Sequence, residues 1–234
     1  MIAGLEGKNV STFLLNGVKI SFLVDNSKDV IQWSHDHGEF YEQDELKDIS
    51  LVIPTRANIL DIGSNVGNHL VYFAKFCRNV RVTPFEVNPA ALEMLKVNIA
   101  LNAVEGQVNE KYLGMALGQF KGYVTLINGD KIANNLGAAS FCVTNDPQGL
   151  VMMPLDALSL EFKPDFIKID VEGMEIAVLR GGERTIVDAR PPLYVEVAPK
   201  NREEFKNILR DWGYSIERTH QRHRGVVNYL CVPW

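Results

Sequence analysis

Residues 58–69, Asn-Ile-Leu-Asp-Ile-Gly-Ser-Asn-Val-Gly-Asn-His, hold the densest group of residues suited to binding a charged small molecule. An apolar run ends at Asp61, Gly63 and Gly67 punctuate a polar turn, and a helical pattern starts at Leu70. A strand feeding a glycine loop that opens a helix presents backbone N–H groups where an anionic group is stabilised. The glycines let the chain turn sharply and approach a ligand closely. A second set is acidic. Glu86 closes the apolar segment 79–86, Asp170 and Glu172 follow Phe166-Ile167-Lys168-Ile169, and Glu196 closes Pro192-Leu193-Tyr194-Val195. Carboxylates at strand ends can hold hydroxyls, take a proton or bind a hard cation.

The loop spacing bears on the ligand. It is G-x-x-x-G, not the G-x-G-x-x-G of dinucleotide sites; Asn65 stands where the second glycine would be, and Asp61 precedes the turn. A pyrophosphate is disfavoured beside that carboxylate, whereas a ligand with both an ammonium and a carboxylate suits it. S-adenosylmethionine (SAM) carries both on its methionine end. Glu86 lies about 20 residues beyond the loop, where an acidic residue binds ribose hydroxyls. NAD shares that ribose, so Glu86 supports a nucleoside without choosing between the two. The plainer readings are a strand–turn–helix corner and a solvated strand end.

Asp170 and Glu172 leave the same side of an extended chain and face the carboxyl ends of the strands, where such sheets bind ligands. Either could be the general base for a hydroxyl, or could cap a helix starting near Met174. Asp170 with Glu196 could bracket a divalent cation, although no His/Cys cluster has zinc spacing. His69 follows the loop directly, placed near the ligand or bonded locally. Residues 218–224, Arg-Thr-His-Gln-Arg-His-Arg, are the one basic cluster. They either grip an anionic group or form a solvated tip.

Positioning these residues takes alternating elements. Strands are expected over 58–62, 80–86, 107–117, 165–171, 192–197, 213–219 and 226–232, and helices over 67–77, 89–102, 174–188 and 201–212. Asn88 and Pro89 start the second helix as cap and first residue. Further strands are expected at 121–126 and 150–154. Asn16-Gly17 marks a hairpin over 10–25, and residues 1–50 read as an N-terminal cap on a domain of 51–234. The alternation implies a mostly parallel sheet with helices on both faces. The last two strands, joined by a short link, pair antiparallel.

The 234 residues are 46% hydrophobic and 23% charged, which fits one α/β domain with a sizeable core. A net charge of −5 gives no general attraction to nucleic acid or anionic membrane. No apolar run is long enough to span a bilayer, and the N-terminus lacks the pattern of a signal peptide. Cys77, Cys142 and Cys231 are far apart without a C-x-x-C, as expected for packing residues in the cytoplasm.

D-I-G-S-N-V-G-N-H, P-F-E-V-N-P, P-L-D-A-L, I-K-I-D-V-E-G-M-E and L-R-G-G, in this order, resemble the FkbM family of SAM-dependent methyltransferases, with agreement over residues 38–197. The resemblance implies a class I methyltransferase (Rossmann-like) fold, a seven-stranded sheet whose last strand is antiparallel. It implies SAM as donor and a hydroxyl of a sugar, glycan or natural product as acceptor. It places Asp61, Gly63, Ser64, Asn65, Gly67 and Asn68 at the methionine end. Glu86 would hold the ribose, with Val87 and Asn88 near the adenine. Met115 and Ala116 would reach the adenine from the third strand. Gly38 to Glu42 would lid the cofactor, with Glu42 near the methionine group. Asp170, Glu172, Glu196 and His69 remain the catalytic candidates. Two other functions compete. An NAD-dependent oxidoreductase fits Glu86 but not the loop spacing, and a non-catalytic nucleoside-binding module would keep the fold without turnover. Methylation of a nucleic-acid base is disfavoured by the acidic balance.

Overall fold

The structure is a computed structural model that describes residues 7–127, 136, 139–221 and 225–234. It opens with a hairpin, β1 (Asn9–Leu15) and β2 (Val18–Val24), turned by Asn16 and Gly17, both at positive φ. That conformation matches the twist of the flanking strands, which explains the Asn-Gly pair. Two short helices follow, α1 (Val30–Asp36) and α2 (Gln43–Ser50). The Asp29 carboxylate caps α1 by accepting from the Ile31 and Gln32 amides.

The chain then alternates β3 (Asn58–Ile62), α3 (Asn68–Phe76), β4 (Arg81–Phe85) and α4 (Pro89–Leu101). Asn88 caps α4 by accepting from the Ala90 amide, with Pro89 behind it. Four short strands come next: β5 (Ala116–Leu117), β6 (Gly122–Leu126), β7 (Phe141–Thr144) and β8 (Leu150–Met153). Last are β9 (Phe166–Ile169), α5 (Glu175–Gly181), α6 (Glu183–Ala189), β10 (Leu193–Val197), α7 (Arg202–Trp212), β11 (Tyr214–Gln221) and β12 (Val227–Pro233). Among the described residues, no helix is long and apolar enough to cross a membrane.

The main sheet has the order β11-β12-β10-β9-β3-β4, with β12 antiparallel to both neighbours and the pairs β10–β9, β9–β3 and β3–β4 parallel. The antiparallel C-terminal pair is as the sequence predicts. Two expectations need correcting. The strand expected over 107–117, the seventh of the sheet, forms only β5 and one bridge, Val82 to Val108. Asn109 accepts from the Lys111 amide and sets up a tight turn over 110–112, and Gly114 takes φ 85°. The segment therefore meets β4 and its end at single points: the Asn109 amide donates to the Val82 carbonyl, and that of Gly114 to Glu86. β5 instead joins a separate sheet of order β5-β8-β6-β7. The single helix expected over 174–188 breaks at Gly182. A Cβ on Gly181 would lie 2.0 Å from the Gly118 carbonyl oxygen, so close contact with the β5–β6 loop requires glycine there.

Strand alternation divides the core between the two faces of the sheet. Leu60, Ile62, Ile167, Ile169, Leu193 and Val195 pack with Val178, Ile186, Phe205 and Ile208 from α5, α6 and α7. Ile59, Phe166, Tyr194 and Leu230 face the other way and pack with Ile20, Phe22, Leu46, Leu70 and Ile99. The N-terminal hairpin and α2 therefore close this second face. The hairpin is tied by two buried asparagines, Asn98 in α4 and Asn102 at its C-cap. Asn98 Oδ1 accepts from the Leu23 amide and Asn102 Oδ1 from the Ser21 amide, while Asn98 Nδ2 donates to the Val66 carbonyl in the glycine loop.

Candidate active site

The face closed by the N-terminal segment also carries a polar stripe. Asp61 on β3 pairs in register with Lys168 on β9, and Glu196 on β10 with Asn228 on β12. Asp170, two residues beyond Lys168, continues the stripe past the end of its strand. Above it lies a cavity of about 260 Å³ at the carboxyl ends of the strands. One wall is apolar, with Ile62, Phe85, Val87, Met115, Ala116 and Leu117. The opposite side carries Glu42, Asp170, Glu172 and Glu196.

The glycine loop is held from behind. Gly63 has φ 80°, and a Cβ there would fall 1.7 Å from the Asp170 carbonyl oxygen, so the loop rests directly on the segment after β9. The Gly63 and Ser64 amides donate to the Phe85 carbonyl. Glu86 is buried at the loop's edge; Oε1 accepts from the Val87 and Asn88 amides at 2.8 and 2.7 Å, and Oε2 from the Asn65 amide at 2.7 Å. Burial raises its pKa, opposed by those amides and by the Lys168 charge. A carboxylate offers about four acceptor sites, so Oε2 keeps one for a further donor.

Asp170, Glu172 and Glu196 each bring a carboxylate oxygen within 4.8 Å of the others. Repulsion from Asp170, then burial, then Glu172 and Glu42 push the Glu196 pKa upward. Glu172 is exposed on one side, yet desolvation, followed by the Asp170 and Glu175 charges, raises it to about 8. The alternative of helix capping is not what these acids do, because α5 starts at Glu175 with Met174 at the cap position and no side-chain cap bond. Glu42 (φ 60°), Asn65 (φ 48°) and Glu172 (φ 47°) all line the cavity in the left-handed conformation. That conformation is costly for residues with a Cβ, and such strain concentrates at functional sites.

The profile of the methyltransferase FkbM domain matches residues 61–217, most of the chain. The chain belongs to the FkbM methyltransferase family. Among solved structures it resembles a methyltransferase FkbM from Methylobacillus flagellatus KT, with TM-score 0.54 and 16% identity over 86% of this chain and 52% of that one. It therefore spans about half the length of that relative. A putative rRNA-methylase from Clostridium thermocellum matches with TM-score 0.53 and 9% identity, over 81% of this chain and 93% of the other. A precorrin-6y C5,15-methyltransferase from Geobacter metallireducens GS-15 matches with TM-score 0.50 and 13% identity, over 82% and 89%. At these identities the likeness shows the fold, an α/β fold of the class I methyltransferase type. No curated protein matches the chain. Family membership implies SAM as the methyl donor and sets the oxidoreductase alternative aside.

Of the residues singled out in this FkbM sequence, Glu42, Gly63, Asn65, Glu86, Val87, Asn88, Met115, Ala116, Asp170, Glu172 and Glu196 line the cavity. Asp61, Ser64, Gly67, Asn68 and His69 are not among the lining residues and lie behind it. Asp61 is fully buried, with the Lys168 ammonium 3.3 Å from Oδ1. Ser64 Oγ donates to the Asp61 carbonyl. Gly67 begins α3 at φ 91°, and its Cα faces Leu95. His69 is buried, with Nε2 3.5 Å from Glu42 Oε2 and its ring against Phe73 and Tyr194.

Asn68 joins the N-terminal segment to the loop helix. Its Nδ2 donates to the Tyr41 carbonyl, and its Oδ1 accepts from the Tyr41 amide and from His35 Nε2. Because Nδ2 must donate, Oδ1 is the acceptor and His35 carries its proton on Nε2. His35 is buried and stacked on Phe22 with ring centroids 3.6 Å apart. Burial outweighs the Asn68 bond and lowers its pKa to about 4. Tyr41 and Glu42 thus reach the cavity from a backbone pinned to α3. The Arg218 guanidinium pairs with Asp48 at 2.9 Å, which turns it toward α2, while His220 lies 3.6 Å from the same carboxylate and also lines the cavity. Arg222, His223 and Arg224 lie outside the described residues. Lys168 was missed by the sequence reading, although a lysine flanked by isoleucines in an apolar strand is itself a signal of a buried partner.

Two outcomes follow from this geometry. His35 is neutral in the fold and ionises more readily once unfolded, so its contribution is present above about pH 6.5 and is lost as pH falls toward 4. Between pH 7 and 5 the loss is about 2 kcal/mol. Denaturant unfolding of a His35→Gln chain should show a pH dependence smaller by that amount. Glu172→Gly should raise unfolding free energy by about 1 kcal/mol by relieving the left-handed strain, while lowering methyl transfer.

Proposed function

We propose that this chain is an O-methyltransferase that moves the methyl group of SAM to a hydroxyl of a sugar, glycan or small natural product. The observation that carries the reading is the meeting of the Gly63–Asn65 loop and Glu86 with the Asp170, Glu172 and Glu196 carboxylates in one cavity. The residues present fit the cofactor. Asn65 Oδ1 is buried and lacks a donor among the described residues, Glu86 Oε2 has an acceptor site left for a ribose hydroxyl, and the apolar wall from Phe85 to Leu117 suits an adenine. When bound, SAM supplies an electrophilic methyl carbon on a sulfonium.

The protein's tasks are alignment and proton removal. Alignment brings the acceptor oxygen in line with the carbon–sulfur bond, and positioning of this kind can supply most of the acceleration. Asp170, the base of this reading, would take the hydroxyl proton as the acceptor oxygen gains the methyl group. Glu196, beside it, holds a proton to higher pH and donates a hydrogen bond to the Asp170 carboxylate. Glu42 adds negative potential that favours a sulfonium in the cavity, and Glu172, raised to about 8, joins it only at higher pH. Acceptor specificity falls to Val30, Ile31, Phe141 and Val226 at the mouth. The trio's spacing also suits a hard cation. The reading adopted needs none, because Lys168 already places a positive charge 3.6 Å from Asp170. A cytoplasmic site of action fits the free cysteines and the cofactor.

Calorimetry should detect binding of S-adenosylhomocysteine and none of NAD. With methyl-labelled SAM and a panel of neutral sugars and glycans, label should appear as a methyl ether. Asp170→Asn should cut that transfer at least 100-fold, within the range for loss of a general base, with cofactor affinity changed less than threefold. Activity should survive excess EDTA; loss restored by magnesium would reassign the trio to a metal, and absence of cofactor binding would reject the function.

A further inference from the structure

Lys168 is 2% exposed and lines no part of the cavity, yet its ammonium meets three groups from different parts of the site. It donates to the Gly63 carbonyl in the cofactor loop. It lies 3.3 Å from Asp61 Oδ1 at the root of that loop, and 3.6 Å from Asp170 Oδ2 on the acceptor side. Among the described residues no other donor reaches either oxygen of Asp61. The register explains the meeting: Asp61 and Lys168 are direct partners across β3 and β9, and Asp170 leaves β9 on the same side two residues later.

We propose that Lys168 is a positioning residue that fixes the cofactor loop and the acceptor carboxylate relative to each other, so that cofactor affinity depends on a side chain that does not touch the cofactor. The inference rests on the methyl-transfer reading for what the loop and Asp170 do. Without the ammonium, Asp61 and Asp170 become like charges with nothing between them, and the Gly63 carbonyl loses its buried donor. The loop lies directly on the Asp170 carbonyl, so relief of that repulsion has to move the loop. Arginine keeps the charge, but its flat fork cannot bring one nitrogen to three acceptors. Glu42 and Glu86 also face this ammonium electrostatically, and they too border the cavity.

The test uses the whole chain with four changes: Lys168→Gln, Lys168→Arg, Asp61→Asn, and the charge-balanced pair Asp61→Asn with Lys168→Gln. Each is titrated with S-adenosylhomocysteine by calorimetry, and circular dichroism sets the folded fraction. Lys168→Gln and the balanced pair are expected to bind at least tenfold more weakly per folded molecule, Lys168→Arg to lose less, and Asp61→Asn alone to lose less than the pair. The balanced pair keeps the test valid if Lys168→Gln fails to fold. In an Asp170→Asn background, Lys168→Gln should weaken binding by a smaller factor, because one of the ammonium's tasks has gone. Binding by the folded balanced pair within threefold of the wild type would overturn the proposal and leave Lys168 a purely structural residue. Equal factors with and without Asp170 would overturn its link to the acceptor side. A wild-type chain that does not bind S-adenosylhomocysteine would instead refute the methyltransferase reading, so the two failures are distinguishable.

Discussion

The Asp61–Lys168 ion pair is the constraint around which the site is arranged. It lies in a polar stripe on a sheet face whose other residues include Ile59, Phe166 and Tyr194. Removing two charges from water costs several kcal/mol each after relaxation, and only close geometry with further hydrogen bonds returns that cost. The ammonium finds both, with Asp61 and Asp170 as counter-ions and the Gly63 carbonyl as acceptor. Burial alone would depress its pKa, but the two carboxylates outweigh burial and hold it above the ordinary lysine value. The lysine is therefore a fixed positive charge at any physiological pH, and the loop above it has a fixed floor.

The N-terminal segment makes that floor a closed site. Its apolar residues, Ile20, Phe22, Phe40, Leu46 and Ile49, are fully or nearly fully buried against α3 and α4. Apolar burial gives adhesion without direction; direction comes from the asparagines. Asn98 and Asn102 extend the open edge of β2 onto a helix, and Asn68 holds both backbone groups of Tyr41. Asn98 joins β2 to Val66 and Asn68 joins Tyr41 to α3, so both ends of the glycine loop are referenced to the segment that supplies Glu42. His35 completes the arrangement as a neutral donor to Asn68.

Much of this was legible in the sequence because it depends on local chemistry. The Asn-Gly turn, the Asn88-Pro89 helix start, the glycine corner and the antiparallel final pair follow from backbone preferences that a few residues encode. The 107–117 segment was not legible as drawn. Val108, Tyr112 and Leu113 suggest a strand, but Asn109 and Gly114 impose turn geometry, and only contact with β4 decides between the two. The break at Gly181-Gly182 likewise depends on the β5–β6 loop passing against it. Within the site, alternation puts Asp170 at the carboxyl ends of the strands, where it lines the cavity, whereas the depth of Asp61 was hidden. A motif shows that a carboxylate belongs near a loop; it does not show that a lysine from the neighbouring strand stands beneath it. The roles of Asn68 and His69 were hidden for the same reason, since their partners Tyr41 and Glu42 lie more than twenty positions earlier in the chain.

The strained residues show how stability and chemistry are divided here. Asn65 gains from its conformation, because its left-handed turn aims its own amide at Glu86, and asparagine tolerates that region better than most residues. Glu42 and Glu172 share the left-handed region, where glycine would fit both backbones more easily. What glutamate adds is a carboxyl at the cavity wall, and at Glu172 burial and the neighbouring carboxylates raise its pKa to about 8. A site with this many acids is unfavourable when empty and becomes favourable when something positive enters it. The buried ammonium offsets part of that repulsion from below. The remainder is a standing bias toward a positively charged occupant.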